Sequence, residues 1–344
     1  MIDWIENPSN KRYGQEREFR VPRVQRPWDI KLTNASFGKF HAIFRPHFQS
    51  GGEMGQWDEE LISLLPPSVK IFASAGAGFN WADVDALARR GIWYANGAGA
   101  SDDAVSDTAL YMILSVFRNF TKSQLAARTA DPEKFTSTHK LIATISKNPK
   151  DHALGIVGLG SISKKLVPKA RAIGMRIIYH DVVRQSEVEE ARLDVRYCET
   201  LPELLGQADC VSLHVPLNAH TKHLINKDTI EQMKDGARLV NTARGEIVEE
   251  EPLIEALRSG KLSAAGLDVH YNEPQVNLEL AAMEDVTLTT HNAGGAIDTR
   301  INFELNAMKN ILAVVDEDGK IIGEPLTPVN KPLCRGGSSS GSLR

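Results

Sequence analysis

Three stretches of the chain place a reactive side chain just past a run of β-type residues: Arg244 in RLVNTARGEIV, Asp268 and Glu273 in AAGLDVHYNEP, and His291 in VTLTTHNAGG. Arg, Glu and His together suit one chemistry, the reduction of a 2-oxo acid by a dinucleotide hydride donor. A guanidinium clamps the substrate carboxylate in a fork and polarises the carbonyl. An imidazolium donates the proton that the developing alkoxide needs, and a carboxylate close by favours its charged form by roughly 1 to 3 pK units. Taken singly, each residue has an ordinary reading: a surface ion pair, a loop charge, a packed histidine. They act together only if the strands before them are parallel neighbours whose carboxyl ends open on one crevice.

The donor's site is read from GLGSIS, where Gly158 and Gly160 fill the first two positions of G-x-G-x-x-G and Ser163 the third. The first glycine allows the tight turn, the second lets backbone approach a pyrophosphate, and the third allows close helix-to-strand packing. Serine is a small departure at that last position. The run ALGIV precedes the turn, a helical pattern containing Pro168 follows it, and the next strand pattern, MRIIYHD, ends in Asp181. An acidic side chain about 20 residues on accepts the adenosine ribose hydroxyls and repels a 2′-phosphate, which favours NAD. Arg184, three places later, still admits NADP.

These residues need a particular scaffold. From about residue 40 short apolar or β-branched runs alternate with helical patterns, the signature of a parallel α/β fold. Strands are expected at 40–45 and 69–74 and, in a second series, near 153–157, 175–180, 209–215, 237–241, 263–267 and 286–290. The pattern SDDAVSDTALYMILSVFRNF predicts a long helix from the Ser101 cap, at the boundary between two domains. Residues 121–150 read as one helix and a polar loop, an arm suited to dimerisation, and 296–315 as a further long helix.

At 344 residues, 42% of them apolar, two domains fit the length. A net charge of −4 and a pI near 6.2 leave no electrostatic hold on nucleic acid. No apolar run of about 18 residues suggests a membrane span. Cys198, Cys210 and Cys334 lack metal-type spacing and suit a reducing, cytoplasmic setting. His220 and His223 lie three apart with no third ligand nearby, so no metal site is expected. Phe79, Trp81 and Tyr271 either line an aromatic substrate pocket or pack the core.

From about residue 57 to 330 the sequence resembles the D-isomer-specific 2-hydroxyacid dehydrogenases. The combination that carries the resemblance is GIVGLGSI, CVSLHVPLNAHTKHLIN, LVNTARGEIV, GLDVHYNEP and TTHNAGG, in that order. The resemblance implies a Rossmann NAD-binding domain inserted into a smaller flavodoxin-like α/β substrate domain. Its segments would be 1–120, of which 1–36 is atypical, then 121–293 for the NAD domain and 294–330 for the return, with 331–344 a disordered tail. It implies Arg244, Glu273 and His291 as the catalytic set, and backbone N–H groups of Ala77 and Gly78 beside Arg244 and His291 at the substrate. Ser161 and Ile162 would meet the pyrophosphate and Asp181 the ribose. His214, Val215, Pro216, Thr221, Thr242, Ala243, Arg244, His291 and Gly294 would border the cofactor, with Asp268 at the nicotinamide amide. A homodimer acting on a small 2-oxo or 2-hydroxy acid is implied, with an aromatic or bulky branched side chain preferred over glyoxylate or hydroxypyruvate. Corepressors that keep this fold and sense NAD(H) form an alternative of another class. Asn80 and Asn292 depart from the family pattern, and no apolar first strand is evident in residues 1–36.

Overall fold

The computed structural model describes residues 40–46 and 55–333; the expectations for residues 1–36, for Cys334 and for most of the tail lie outside them. The chain runs β1 (Ala42–Arg45), α1 (Glu59–Ser63), β2 (Ile71–Ser74), α2 (Val84–Arg89), β3 (Trp93–Ala95), α3 (Asp102–Arg118), α4 (Phe120–Arg128) and α5 (Pro132–Ile145). It continues through β4 (Ala153–Val157), α6 (Ser161–Ala172), β5 (Arg176–His180), α7 (Glu187–Leu193), β6 (Arg196–Tyr197), α8 (Leu201–Gln207) and β7 (Cys210–Leu213). Then come α9 (Lys227–Glu231), β8 (Ala237–Asn241), α10 (Glu250–Ser259), β9 (Leu262–Leu267), α11 (Leu278–Ala282), β10 (Val286–Leu288) and α12 (Ile297–Val314).

Two compact units result. One joins the described residues up to Ser101 with those from Ile297; the other is Asp102–Ala296. The expected boundary after residue 120 is therefore moved back to the start of α3, and the second moves from 293 to 296. The reason for the first shift is packing. Ala109, Met112, Ile113, Val116 and Phe117 of α3 are buried in one cluster with Leu154, Ile156, Tyr179 and Val240 of the larger sheet. Gly266 in β9 makes room for this: a Cβ there would stand 2.9 Å from the Met112 Cβ. Periodicity shows that α3 has an apolar face but not which core that face fills.

In the first unit β1, β2 and β3 pair in parallel in that order, with Phe72 and Tyr94 buried on one side among Trp57, Ile62 and Leu87. On the other side Ile71, Ala73 and Ala95 pack with Phe303, Ala307 and Ile311 of α12, which lies in the same core as the early strands.

In the second unit seven parallel strands run in the order β10-β9-β8-β7-β4-β5-β6. The strand order reverses beside β4, which is where open α/β sheets hold their ligands. The five residues of β4 and the five of β8 are all buried, as expected of strands covered on both faces. The region 121–150 forms two helices, not one: Ala130 turns left-handed with φ +53° after α4, and Asp131 caps α5 with Pro132 in its first turn.

Candidate active site

The strand register decides which side chains share the crevice edge. Val157 of β4 is level with His180 of β5 and with Leu213 of β7; Leu213 is level with Asn241, Asn241 with Leu267, and Leu267 with Leu288. The next residues on these strands are Gly158, Asp181, His214, Thr242, Asp268 and Thr289, so one sheet edge gathers the residues singled out in the sequence. Backbone bonds continue the alignment: Asp268 N–H donates to Asn241 O at 3.0 Å and His291 N–H to Asp268 O at 2.7 Å.

At the glycine turn Gly158 has φ +93°, and a Cβ there would stand 2.8 Å from His214 O. A Cβ on Gly160 would meet nothing within 4 Å, which leaves the approach to the α6 N-terminus open. No side chain caps that helix, so the N–H groups of Ser161 and Ile162 are available to an anion. Ser163 is fully buried, and its hydroxyl donates back to Gly158 O at 2.8 Å, which explains how serine serves where glycine is usual. Asp181 Oδ2 accepts the Leu159 N–H at 2.7 Å, tying the ribose candidate to the turn. These features fit a dinucleotide.

Farther along the edge, Thr242 carries a buried hydroxyl with no hydrogen-bond partner, the kind of orphan that a bound ligand satisfies. Ala243 N–H donates to Asn241 Oδ1, and the Asn241 amide donates to Arg244 O, fixing the backbone that carries the guanidinium. Burial pushes the His214 imidazole down to about 4; it is neutral and hydrogen-bonded to Ser212 at 2.8 Å. Val215 packs against the core beneath the turn. The Thr221 hydroxyl is spent within its own turn, donating to Pro216 O at 2.5 Å and accepting Asn218 N–H at 2.9 Å. His223 hydrogen-bonds Tyr271 at 3.0 Å and stacks on it, a structural role for two residues that sequence left open.

His291 Nδ1 is 2.6 Å from Glu273 Oε2, and the other Glu273 oxygen accepts the His270 N–H at 2.9 Å. Burial raises the Glu273 carboxyl, but the hydrogen bonds from His291 and the His270 N–H outweigh it and leave the group below its ordinary value. Burial lowers the Arg244 guanidinium, while the charge of Glu273 acts on it in the opposite sense. His291 adopts φ +50°, which a non-glycine residue holds only when its surroundings impose it. Those surroundings come from Asp268, which is 1% exposed. Its carboxylate takes the Thr289 hydroxyl at 2.6 Å and the Asn292 and Ala293 N–H groups at 2.9 Å each. Asp268 thus shapes the His291 turn, a function that no spacing in the sequence reveals. The Ala293 carbonyl in turn accepts the Thr108 hydroxyl at 3.3 Å, next to Gly294.

In the first unit, the carbonyls of the Gly76–Gly78 loop are all engaged. Gly76 O accepts Gly97 N–H, Ala77 O the Asn96 amide at 2.7 Å and Gly78 O the Trp81 indole at 3.1 Å. The loop is thereby held by one side of its peptides. Phe79 and Trp81 pack partly buried against the core cluster of Phe72 and Tyr94, so their main contacts are structural. Asn80 is exposed.

Comparison with known proteins agrees with this geometry. Residues 110–293 match the D-isomer specific 2-hydroxyacid dehydrogenase, NAD binding domain. The apo structure of Rhodotorula graminis D-mandelate dehydrogenase is 47% identical and superposes with a TM-score of 0.82, covering 88% of this chain and 87% of that one. The 4-methyl-2-oxopentanoate reductase A of Aspergillus oryzae is 35% identical over 268 residues, 78% of either chain. Glyoxylate reductase 1 of Saccharomyces cerevisiae is 35% identical over 265 residues, 76% of this chain and 73% of that one. A dinucleotide turn, a buried organising aspartate and a paired histidine on one sheet edge thus accompany sequence similarity along most of the chain, which belongs to the D-isomer-specific 2-hydroxyacid dehydrogenase family.

Proposed function

We propose that the chain interconverts a 2-oxo acid and a D-2-hydroxy acid using NAD(H), with Arg244, Glu273 and His291 as its catalytic set. The observation that carries this reading is the 2.6 Å contact between His291 and Glu273 at the edge that also holds the glycine turn. Bound NADH supplies the hydride to the carbonyl carbon. With Nδ1 engaged by Glu273, His291 has Nε2 left to give the proton to the carbonyl oxygen, and takes it back in oxidation. Arg244 binds the substrate carboxylate in a fork. The N–H groups of Ala77 and Gly78 are proposed as substrate donors, on a loop whose carbonyls are already bonded. Ser161 and Ile162 are assigned to the pyrophosphate, Asp181 to the ribose, and Thr242 to the cofactor through its unpaired hydroxyl.

Substitution of Glu273 tests the pairing. Glu273→Gln removes the carboxylate that holds Nδ1 and orients the ring, so turnover is expected to fall. A loss of roughly tenfold or more in turnover is expected; unchanged turnover would separate Glu273 from proton transfer. Stability depends on the same carboxyl. The native carboxyl lies below its ordinary value, so its stabilisation is present above the ordinary carboxylate range and is lost as pH falls through the lowered value.

The proposed substrate carries an aromatic or bulky branched side chain, of the benzoylformate type. Similarity to a mandelate dehydrogenase and to a 4-methyl-2-oxopentanoate reductase supports it. Rates of NADH oxidation with benzoylformate, 4-methyl-2-oxopentanoate, glyoxylate and hydroxypyruvate, with chiral analysis of products, test it. Fast reduction of either bulky acid to its D-product is expected; turnover confined to glyoxylate or hydroxypyruvate would assign a small pocket instead. A corepressor role is not favoured, since the relatives are named as dehydrogenases and reductases.

A homodimer joined through the second unit is proposed as well. Leu125 of α4 and Phe135, Leu141 and Ile145 of α5 are between 39% and 59% exposed, apolar side chains that a second copy would cover. Sedimentation equilibrium should give twice the chain mass; a monomer at micromolar concentration would remove the arm's role. Cys198 and Cys210 are buried free thiols, which suits the proposed cytoplasmic setting. No helix among the described residues is long and apolar enough to cross a membrane.

A further inference from the structure

We infer that Glu190 is a specificity-determining positioning residue: by clamping Arg184 it withholds from a 2′-phosphate the cation that NADP(H) would require. Selectivity for NAD(H) then rests on two acidic residues with different tasks. Asp181 takes the ribose hydroxyls, and Glu190 keeps the neighbouring arginine occupied. The inference rests on the proposed placement of the adenosine ribose at Asp181.

The geometry around the end of β5 is closed and specific. Asp181 is fixed by the Leu159 N–H at 2.7 Å and the Val183 N–H at 3.2 Å. Val182 and Val183 are 95% and 68% exposed, so the backbone beyond Asp181 lies open where an adenosine moiety would rest. Arg184 follows, and a flexible arginine at this point is the residue expected to reach a 2′-phosphate. It is not at liberty to do so. Its Nε and Nη2 donate to the two oxygens of Glu190, both at 2.9 Å, and its guanidinium stacks over Tyr197 at 5.2 Å.

Glu190 is itself held. It is only 11% exposed in its side chain, against 54% for Arg184, and it also accepts the Tyr179 hydroxyl at 2.5 Å. Tyr179 belongs to β5 and accepts the Gln185 N–H at 3.0 Å, so the clamp is anchored in the sheet and in the loop it restrains. The hydrogen bonds from Arg184, then that from Tyr179, hold the Glu190 carboxyl at about 2, and it is ionised at any working pH.

The other nearby cations are treated alike. Lys164 is 2.9 Å from Gln185 Oε1 and 3.3 Å from Glu189, whose oxygens also bind Arg192 in a fork at 2.7 and 2.8 Å. Lys164, Arg184 and Arg192 are thus each matched by Glu189 or Glu190. A 2′-phosphate adds about −1.5 to −2 of charge and would face Asp181 with no uncommitted cation among these three.

The test measures Kd for NADH and NADPH by fluorescence on the full chain in four forms: wild type, D181A, D181A/E190Q and D181A/E190Q/R184A. Removing Asp181 first eliminates its own repulsion, and glutamine keeps an acceptor for the Tyr179 hydroxyl. The NADPH-to-NADH affinity ratio is expected to rise about tenfold from D181A to D181A/E190Q, the scale of one charge-assisted hydrogen bond. The gain should vanish when R184A is added. A general structural change at Glu190 would not make the gain depend on Arg184. If E190Q fails to fold, E190D, which shortens the arm and breaks the fork, should shift the ratio in the same direction by less. An unchanged ratio in a chain that binds NADH normally overturns the inference alone, as does a gain that survives R184A. A wild-type chain that binds neither dinucleotide overturns the cofactor reading and the inference with it.

Discussion

His291→Ala is expected to lower turnover by at least about 100-fold in both directions, with NADH binding little changed. The size follows from the task assigned to the ring. Hydride arrival at the carbonyl carbon leaves charge on the oxygen, and a positioned acid neutralises it as it forms; water in the vacated space does this without fixed geometry. Fold stability should hardly move. The side chain is 44% exposed, and its ring nitrogen Nδ1 is paired with the Glu273 carboxylate. The backbone of the turn is shaped from beneath by Asp268, so the φ of +50° is imposed on alanine as on histidine. A thermal melt near that of the wild type, with NADH bound and turnover lost, would place the defect in proton transfer. Near-normal turnover would remove His291 from the mechanism, and a lost melt would show that the pair with Glu273 is structural.

His291→Ala and Glu273→Gln are expected to differ in kind. Without the ring no acid remains, so loss extends over the whole pH range. Without the carboxylate the ring remains but is no longer held through Nδ1, so part of the activity survives. Because the two residues act as a pair, their effects should not add: the double variant should be little worse than His291→Ala.

Much of this site was legible before any coordinates, for identifiable reasons. A buried parallel strand is a near-continuous apolar run, so β4, β5, β7, β8, β9 and β10 fall within two residues of the expected positions at their starts and ends. The turn at Gly158 was legible because only glycine readily takes φ +93° at that crowding. What escaped has equally physical causes. The strand β6 is two polar-rich residues at the sheet edge, Arg196 and Tyr197, with no apolar run to mark it. The break between α4 and α5 depends on a left-handed Ala130 and the Asp131 cap, which a helical pattern passes over. Asp268 is expected at the nicotinamide amide by resemblance, and its carboxylate also holds three donors of the His291 turn. Partners in such a network come from separate segments, and sequence spacing carries no record of them. The clamp on Arg184 is a further case, because an arginine near Asp181 reads as a phosphate ligand until its Glu190 contact is seen.

Replacing Arg244 gives the second large effect. Arg244→Ala should lower kcat/KM for a 2-oxo acid by roughly 2 to 5 kcal/mol, or about 30-fold to several thousand-fold, as expected when one side of a desolvated charge pair is removed. Arg244 lies after β8 on a backbone held by both ends of Asn241, so its direction is set before substrate arrives. Burial lowers the guanidinium, but arginine stays protonated in proteins, and a half-dry cation is one that a carboxylate binds strongly. Arg244→Lys separates charge from shape: lysine restores the charge without the planar fork, so it should recover part of the binding and little of the orientation. KM is then expected to improve over the alanine variant more than kcat does. The response to the substrate's carboxylate gives a sharper reading. Against a 2-oxo ester the wild type should fall toward the Arg244→Ala rate, and the variant should discriminate between acid and ester hardly at all. A variant that still prefers the acid by the wild-type factor would move the carboxylate to other donors, and Arg244 would then be left as the electrostatic neighbour of Glu273.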